Sequence, residues 1–392
     1  MAVREVVPGV QWVGSIDWDR KVFDELIPLP HGTSYNAYLV KGTEKTALID
    51  TVDPKKEFEL VANLISSSVD RIDYLIVNHA EQDHSGSLPM LLELFPMAKV
   101  VTNEKCCEFL KKFHEIEESC CHIIKDGDTL DLGGATLEFI ITPWVHWPET
   151  MVTYLREKKI LFSCDLFGSH LATSDLFVID ENTTYTAAKR YYAEIMMPFR
   201  NSIKGHLERL DNYEINIIAP SHGPLYDRPG LIIDAYRDWT GDHVKNEAII
   251  LYVSMHGSTE KMVAHLTDAL IKREIPVKVL NLGVCDTGEI SVSLVDAATI
   301  ILATPTVLFG PHPLMVYAAY LANLIRPKAK FGTVIGSYAW GGKTIDTLKG
   351  MLNHLTLEFL TPIYIQGTPD ITAFQALDKL ADAVEQKHKN LV

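Results

Sequence analysis

Four side chains able to bind a metal crowd into six residues, His79, Glu81, Asp83 and His84, in the run Asn78-His79-Ala80-Glu81-Gln82-Asp83-His84. The run directly follows Tyr74-Leu75-Ile76-Val77, which has the apolar pattern of a buried strand. A loop leaving the end of a strand can aim alternate side chains at one point, so this H-x-E-x-D-H spacing offers two neighbouring metal positions. Three further candidates are placed the same way. His146 lies in Trp144-Val145-His146-Trp147-Pro148-Glu149, Asp165 follows the strand pattern Ile160–Phe162, and His222 lies in Ala219-Pro220-Ser221-His222-Gly223-Pro224 after Ile215–Ile218. Core packing asks for no charged group just past a buried strand. Any one of these residues alone would be read as a cap or a satisfied core histidine; the cluster with its three followers is not. Four histidines and three carboxylates are too many ligands for one ion and suit two, with a carboxylate bridging. Imidazole suits zinc or iron, and the carboxylate share moves the preference toward iron or manganese.

A second constellation has the form of a phosphate cradle, although its first loop taken alone reads equally well as a plain helix N-cap. The strand pattern Ala248–Val253 runs into Ser254-Met255-His256-Gly257-Ser258-Thr259, and a helical pattern begins near Glu260. Backbone N–H groups and hydroxyls at a helix N-terminus cradle an anion that the helix dipole also favours. The loop has no lysine and no G-K-[ST] follows, which disfavours a nucleotide-hydrolysing P-loop. Two more loops, Thr304-Pro305-Thr306-Val307-Leu308-Phe309-Gly310 and Ser337-Tyr338-Ala339-Trp340-Gly341-Gly342, follow later strands. Loops at the carboxyl ends of neighbouring parallel strands converge where such sheets bind ligands.

The elements that must position these residues fall into two patterns. Up to about residue 245, short strands (Thr46–Asp50, Leu137–Ile141 and Met151–Tyr154 besides those above) alternate with helical stretches near Ser87–Phe95, Glu104–Phe113 and Ala187–Met196. The chain turns polar over Asp238–Asn246, and a domain boundary is expected there, giving domains 1–245 and 246–392. Beyond it, apolar runs at Ala248–Val253, Val277–Leu280, Thr299–Ala303, Thr333–Ile335 and Phe359–Ile365 alternate with helical patterns at Glu260–Lys272, Leu314–Ile325, Thr344–Leu355 and Ala373–Lys387. Such βα repetition predicts a parallel sheet covered by helices on both faces.

Composition narrows the function. With 392 residues, 47% hydrophobic and 22% charged, the chain can bury two full cores. A net charge of −15 argues against a nucleic-acid binder. Arg4 and Glu5 with no apolar run near the start show no signal peptide, so a soluble cytoplasmic protein is expected. Ala297–Ile325 has no charged residue, but Pro305, Gly310, Pro311 and Pro313 interrupt it, so a strand, a loop and a core helix explain it better than a membrane span. The six cysteines form no C-x-x-C, and the vicinal pairs Cys106-Cys107 and Cys120-Cys121 make a poor disulfide framework, so reduced cysteines are expected.

The first domain resembles the metallo-β-lactamase fold, an αββα sandwich whose usual motif is H-x-H-x-D-H; here Glu81 stands where the second histidine would be. That replacement, followed by the His146, Asp165 and His222 motifs, resembles the flavodiiron proteins, or A-type flavoproteins. The second domain is similar to flavodoxin, with T-P-T and S-Y-x-W-G-G fitting flavin loops. The resemblance covers nearly the whole chain. It implies a non-haem di-iron centre with His79, Glu81 and His146 on one iron, Asp83, His84 and His222 on the other, and Asp165 bridging. It also implies FMN held by Ser254, Met255, His256, Gly257, Ser258, Thr259, Pro305, Thr306, Val307, Ser337, Tyr338, Ala339, Trp340, Gly341 and Gly342. The implied reaction is reduction of O2 to water, of NO to N2O, or both. Two irons and one FMN hold the four electrons that O2 requires. The implied assembly is a head-to-tail homodimer, or a dimer of dimers, that brings one subunit's flavin to the other's irons. No fused donor module follows the last helical pattern, so a separate donor, rubredoxin or reduced coenzyme F420, is expected, with Arg326, Lys328 and Lys330 as a candidate docking patch. The alternative is a two-zinc hydrolase of the metallo-β-lactamase superfamily, against which Glu81 and the flavin loops both argue.

Other residues keep two readings. His170, in Phe167-Gly168-Ser169-His170, either donates a hydrogen bond near the metals or bound gas, or is a satisfied histidine. Tyr191 and Tyr192 either supply a polar group to the site or, as their helical pattern favours, pack in the core. Trp147 either walls the pocket or belongs to the core. Cys164 is expected to be a buried thiol pointing away from its neighbour Asp165. His312 has no evident role.

Overall fold

The computed structural model describes residues 3–391, which divide into two compact units. The first takes in the residues up to Glu25, Leu29–Tyr192 and Phe199–Thr240; the second takes in Leu26–Pro28, Ala193–Pro198 and the residues from Gly241 on.

The first unit is a sandwich of two sheets. One has the strand order Arg4–Val7, Val10–Trp12, Tyr38–Lys41, Thr46–Ile49, Tyr74–Ile76, Lys99–Thr102 and Cys121–Ile123; the other runs Thr129–Asp131, Thr136–Ile141, Met151–Leu155, Ile160–Cys164 and Ile217–Pro220. Both contribute alternate apolar side chains to one core, including Trp12, Tyr38, Ile49 and Ile76 from the first and Leu137, Phe139, Phe162 and Ala219 from the second. Three pairings are decisive for the site. Thr46–Ile49 is parallel to Tyr74–Ile76, which is parallel to Lys99–Thr102, and Ile160–Cys164 is parallel to Ile217–Pro220. Parallel neighbours end on the same side of a sheet, so the loops that leave them lie side by side.

The second unit has one parallel sheet in the order Val277–Asn281, Lys245–Tyr252, Ala297–Ala303, Phe331–Tyr338 and Glu358–Phe359, with Ile363–Gln366 also paired to Phe331–Tyr338. The chain therefore enters at the second position of the sheet, steps to one edge and then winds the other way, the doubly wound flavodoxin-like order. Helices Ser258–Ile271 and Ile371–His388 pack Met262, Leu266, Leu377 and Val384 against Ile250, Ile301 and Ile335 of the sheet.

Several expectations change. The run Phe359–Ile365 is two short strands, because Pro362 between them has no N–H to give to a ladder. The helix expected at Ala187–Met196 starts earlier, at Glu181, where Asp180 caps it by accepting from Thr183 N, and it gives way to a π-turn over Tyr192–Met196. The helix at Thr344 ends at Met351 rather than Leu355. The cysteines are not all reduced: Cys107 and Cys121 are joined in a disulfide, and Cys106, Cys120, Cys164 and Cys285 are free. Neither vicinal pair closes on itself; instead the helix Glu104–His114 lies beside the strand Cys121–Ile123, and one member of each pair meets across that contact. Lys328 is not available for docking, since it is buried beside Asp296. The apolar stretch after Ala297 is a strand, a loop and the helix Pro313–Ile325, and no helix among the described residues is long and apolar enough to cross a membrane.

Candidate metal centre and phosphate-loop cavity

The seven expected ligands converge. His79, Glu81, His146 and Asp165 present ligand atoms all within 4.8 Å of one another, and Asp83, His84 and His222 do the same. Asp165 joins the two groups: its Oδ2 lies 3.6 Å from His79 Nε2 and 3.5 Å from His146 Nε2, while its Oδ1 lies 3.0 Å from His84 Nε2 and 3.5 Å from His222 Nε2. A short helix, Gln82–Ser85, turns Asp83 and His84 inward, and Ser85 Oγ ties it down by donating to Ala80 O at 2.7 Å. After His222 the chain reverses at Gly223, whose φ is +82° and where a Cβ would sit 2.1 Å from Ser169 Oγ. Only glycine fits there.

The polar atoms point at a common centre more than at each other. Asp83 Oδ1 and Oδ2 and Asp165 Oδ2 are buried with no hydrogen-bond partner among the described residues, although imidazole nitrogens stand 3.2–3.6 Å away. Buried carboxylate oxygens left without hydrogen bonds are costly, and cations held between them remove that cost. The donor set, imidazoles with carboxylates and one carboxylate shared, suits two iron ions. Burial opposes charge on the four histidines, Glu81 and Asp165, but the opposite charges facing them outweigh it. His146 is pushed up to about 9 and His222 to about 10, chiefly by Asp165 with Glu81 or Asp83, and His79 and His84 are also raised. Glu81 and Asp165 are held below the usual carboxylate range by the histidines facing them. Metals entering this cluster displace protons from imidazoles.

The surrounding residues resolve most of the open readings. Tyr191 OH donates to Asp165 Oδ1 at 2.9 Å, so it belongs to the site as well as to the core, and burial beside Asp165 keeps it protonated. Tyr192 OH donates to Trp239 O and is core. Trp147 packs edge-on to His79 at 5.0 Å and walls the site. His170 is not in either ligand group; its Nδ1 meets Thr33 Oγ1 at 2.9 Å and its ring packs 4.9 Å from His222, while burial and His222 hold it neutral. Cys164 is buried as expected, but its φ of +50° breaks strand alternation and brings its sulfur within 4.8 Å of ligand atoms of His84 and Asp165. Burial and the nearby Asp50 and Asp165 keep it a thiol. His312 caps the helix Pro313–Ile325, its Nδ1 accepting from Leu314 N at 3.2 Å.

In the second unit, Ser254, Met255, His256, Ser258, Thr259, Pro305, Thr306, Ser337, Tyr338 and Ala339 line one cavity of ≈ 260 Å³. Gly257, at φ +84°, is the N-cap of the helix Ser258–Ile271, and Ser254 Oγ accepts from Gly257 N and Glu260 N. The first turn of that helix leaves N–H groups free for an anion. Val307, Trp340, Gly341 and Gly342 do not line the cavity; Trp340 is 54% exposed and packs edge-on to Phe309 at 4.5 Å. A residue not anticipated does line it: Gly367, after the strand Ile363–Gln366. The Gly-Thr-Pro that follows that strand is the signal that was available. Tyr364 OH, from the same strand, meets Thr306 Oγ1 at 2.8 Å. Hydroxyls and a helix N-terminus on one side and flat or small side chains on the other fit a flavin mononucleotide.

Two groups of potential metal ligands joined on a β-sandwich, carried in one chain with a flavodoxin-like unit, fit a redox metalloprotein better than a simple hydrolase. Comparison with known proteins agrees. Residues 33–223 match the model of the ODP family beta lactamase. A nitric oxide reductase from Moorella thermoacetica is 38% identical over 91% of this chain and 90% of its own. Among solved structures, the rubredoxin oxygen:oxidoreductase from Desulfovibrio gigas superposes with a TM-score of 0.95 at 30% identity, covering 99% of this chain and 98% of that one. The flavodiiron protein from Giardia intestinalis gives 0.91 at 28% identity, covering 98% of each. The chain belongs to the flavodiiron protein family and is an oxidoreductase.

Proposed function

We propose that this protein reduces O2 to water, NO to N2O, or both, at a non-haem di-iron centre, with electrons passed through FMN from a separate donor. The observation that carries this is the joining of two ligand groups through one buried carboxylate, Asp165. His79, Glu81 and His146 would hold one iron, Asp83, His84 and His222 the other, and Asp165 would bridge them. Two irons and one FMN, when bound, would together supply the four electrons that reduction of O2 to water consumes. The chain's own residues orient and shield. Ser34 O accepts from His222 Nδ1 at 2.7 Å, which aims Nε2 at the cluster. Trp147 and Phe199 flank His146, and apolar walls of this kind limit water. Tyr191 keeps a proton directed at Asp165 Oδ1.

In the second unit, the helix N-terminus with Ser254, Ser258 and Thr259 would take the FMN phosphate, and Met255, His256, Pro305, Thr306, Ser337, Tyr338 and Ala339 the rest. Gly257 would provide the turn. The donor would be rubredoxin or reduced coenzyme F420, with exposed Arg326 and Lys330 as docking charges. The working form would be a cytoplasmic homodimer. The test is iron, zinc and FMN analysis of protein purified without oxygen, followed by stopped-flow oxidation with O2 and with NO. About two irons and one FMN per chain support this function, and the faster oxidant names the preferred substrate. Zinc without flavin would overturn it in favour of hydrolysis.

A further inference from the structure

We propose that Glu149 is a positioning residue that fixes the tautomer and aim of His79 and, through its charge, sets how firmly one of the two metals is held. This rests on the di-iron function above. Glu149 is buried, and its Oε1 lies 2.6 Å from His79 Nδ1. A carboxylate oxygen accepts, so Nδ1 carries a hydrogen, and Nε2, 3.1 Å from Glu81 Oε2, is the nitrogen that faces the cluster and would give up its proton to ligate a metal. Glu149 is itself held at both its side chain and its backbone. Ala80 N donates to the same Oε1 at 3.2 Å, and Asn103 Nδ2 donates to the Glu149 backbone oxygen at 2.6 Å. Asn103 is in turn fixed as the N-cap of the helix Glu104–His114, accepting from Cys106 N. Glu149 Oε2 has no hydrogen-bond partner among the described residues. A buried carboxylate with one idle oxygen is poor structural economy, and its orientation toward a ligand imidazole explains its presence.

The two ligand groups are unequal in this respect. His222 donates from Nδ1 to a neutral backbone carbonyl, Ser34 O, whereas His79 donates to a carboxylate. A charged partner makes the ligating nitrogen the stronger donor, and outer partners of this kind change metal affinity by about 10–100-fold. The metal bound by His79 is therefore the more tightly held of the two, and Glu149 is the reason.

The experiment compares wild-type protein with E149Q and E149A, each loaded with iron and challenged with an iron chelator, while Mössbauer spectra are recorded before the challenge. Glutamine keeps the shape and an accepting oxygen but removes the charge. One iron is expected to leave E149Q about tenfold faster and E149A about 100-fold faster, with the other unchanged. Only one of the two iron signals should shift in E149Q. FMN content and the melting temperature of the metal-free proteins report on folding. Unchanged chelation of both irons, or equal disturbance of both signals together with a lower metal-free melting temperature, would overturn the role of Glu149. A wild-type protein that holds no iron would overturn the di-iron function and this inference together.

Discussion

The loops after Tyr74–Ile76, Ile160–Cys164 and Ile217–Pro220 in the first unit and those after Lys245–Tyr252, Ala297–Ala303 and Phe331–Tyr338 in the second occupy the same topological station, the carboxyl ends of parallel strands. They carry opposite chemistry. The first set gathers imidazoles and carboxylates that are almost wholly buried, several of them without hydrogen bonds. The second presents hydroxyls, backbone and exposed aromatics, with Met255 and Trp340 about half exposed and no acid or lysine lining the cavity. A buried charged cluster is stable only with its counter-ions, so the first unit's site depends on metal. A cradle of neutral groups is complete without its ligand. The same position in two sheets thus serves a cofactor that the fold needs and a cofactor that the fold merely accepts.

The sharpest way to break this contrast is to remove the joining carboxylate. Asp165→Ala is expected to drop iron from about two per chain to one or none and to lower O2 and NO reduction by at least about 100-fold, since even outer partners of a ligand cost 10–100-fold. FMN content should stay unchanged. Loss of FMN in the same variant, measured by released fluorescence, would show that the sites are not independent. Stripping iron from the wild-type protein should likewise lower the melting temperature of the first unit, by an amount set by iron affinity and concentration, while the flavin-bearing unit melts as before.

On the other side, Ser254→Ala removes the acceptor for Gly257 N and Glu260 N. A lost hydrogen bond of this kind is worth about 0.5–1.5 kcal/mol, and a phosphate loop loosened by that much should bind FMN roughly 2–10-fold more weakly, read by flavin fluorescence titration, with iron content untouched. A larger effect on iron than on FMN would collapse the distinction.

How much of this was legible follows from where the signals sit. The seven candidate ligands stood out because charged residues just past apolar strand runs conflict with core packing, and that conflict is local. The doubly wound unit showed itself through strand runs such as Ala297–Ala303 that are buried along their whole length. The helix Thr287–Leu294 was missed although Asp286 and Glu289 form a capping box, because its moderate apolar pattern lies in a short, mixed segment. The strands before Thr46 were missed because they are two to four residues long and gain their pairing from partners far along the chain. Tyr191 was legible at the site only as one of two readings, and Glu149 and Gly367 only as residues. Their partners, His79, Asp165 and the flavin loops, are 26 or more residues away, and no spacing rule encodes that. The Cys107–Cys121 bond joins a helix to a strand 14 residues on and follows no short cysteine spacing.

Acid separates the units again, by a smaller amount. In the second unit His388 Nδ1 must donate to Asn246 Oδ1 at 2.8 Å, which leaves Nε2 to accept from Thr299 at 2.7 Å. The buried neutral ring is complete, and burial lowers its pKa to about 4. An unfolded histidine titrates near 6.5. Above that pH neither state is charged and the contribution is intact. Between about 6.5 and 4 the unfolded chain takes up a proton that the native one refuses, so stability falls with pH, and below about 4 the loss levels off. The second unit should lose about 1–3 kcal/mol across that window, seen as a falling melting temperature. His388→Gln, which cannot titrate, should flatten the slope; an unchanged slope would place the acid sensitivity elsewhere.

The smallest and most even-handed comparison deletes one hydroxyl from each site. Tyr191 OH donates to Asp165 Oδ1 in the first unit, and Tyr364 OH meets Thr306 Oγ1 in the second. Each change to phenylalanine removes one hydrogen bond worth about 0.5–1.5 kcal/mol. Tyr191→Phe should speed iron release by chelator roughly 2–10-fold, because Asp165 loses a donor that holds its orientation, and should leave FMN affinity alone. Tyr364→Phe should do the reverse, loosening FMN by a similar factor with iron retention unchanged. Because the substitution is chemically identical, a crossed result, with Tyr364→Phe acting on iron, would mean that the two sites communicate through the fold and do not merely share a topological position.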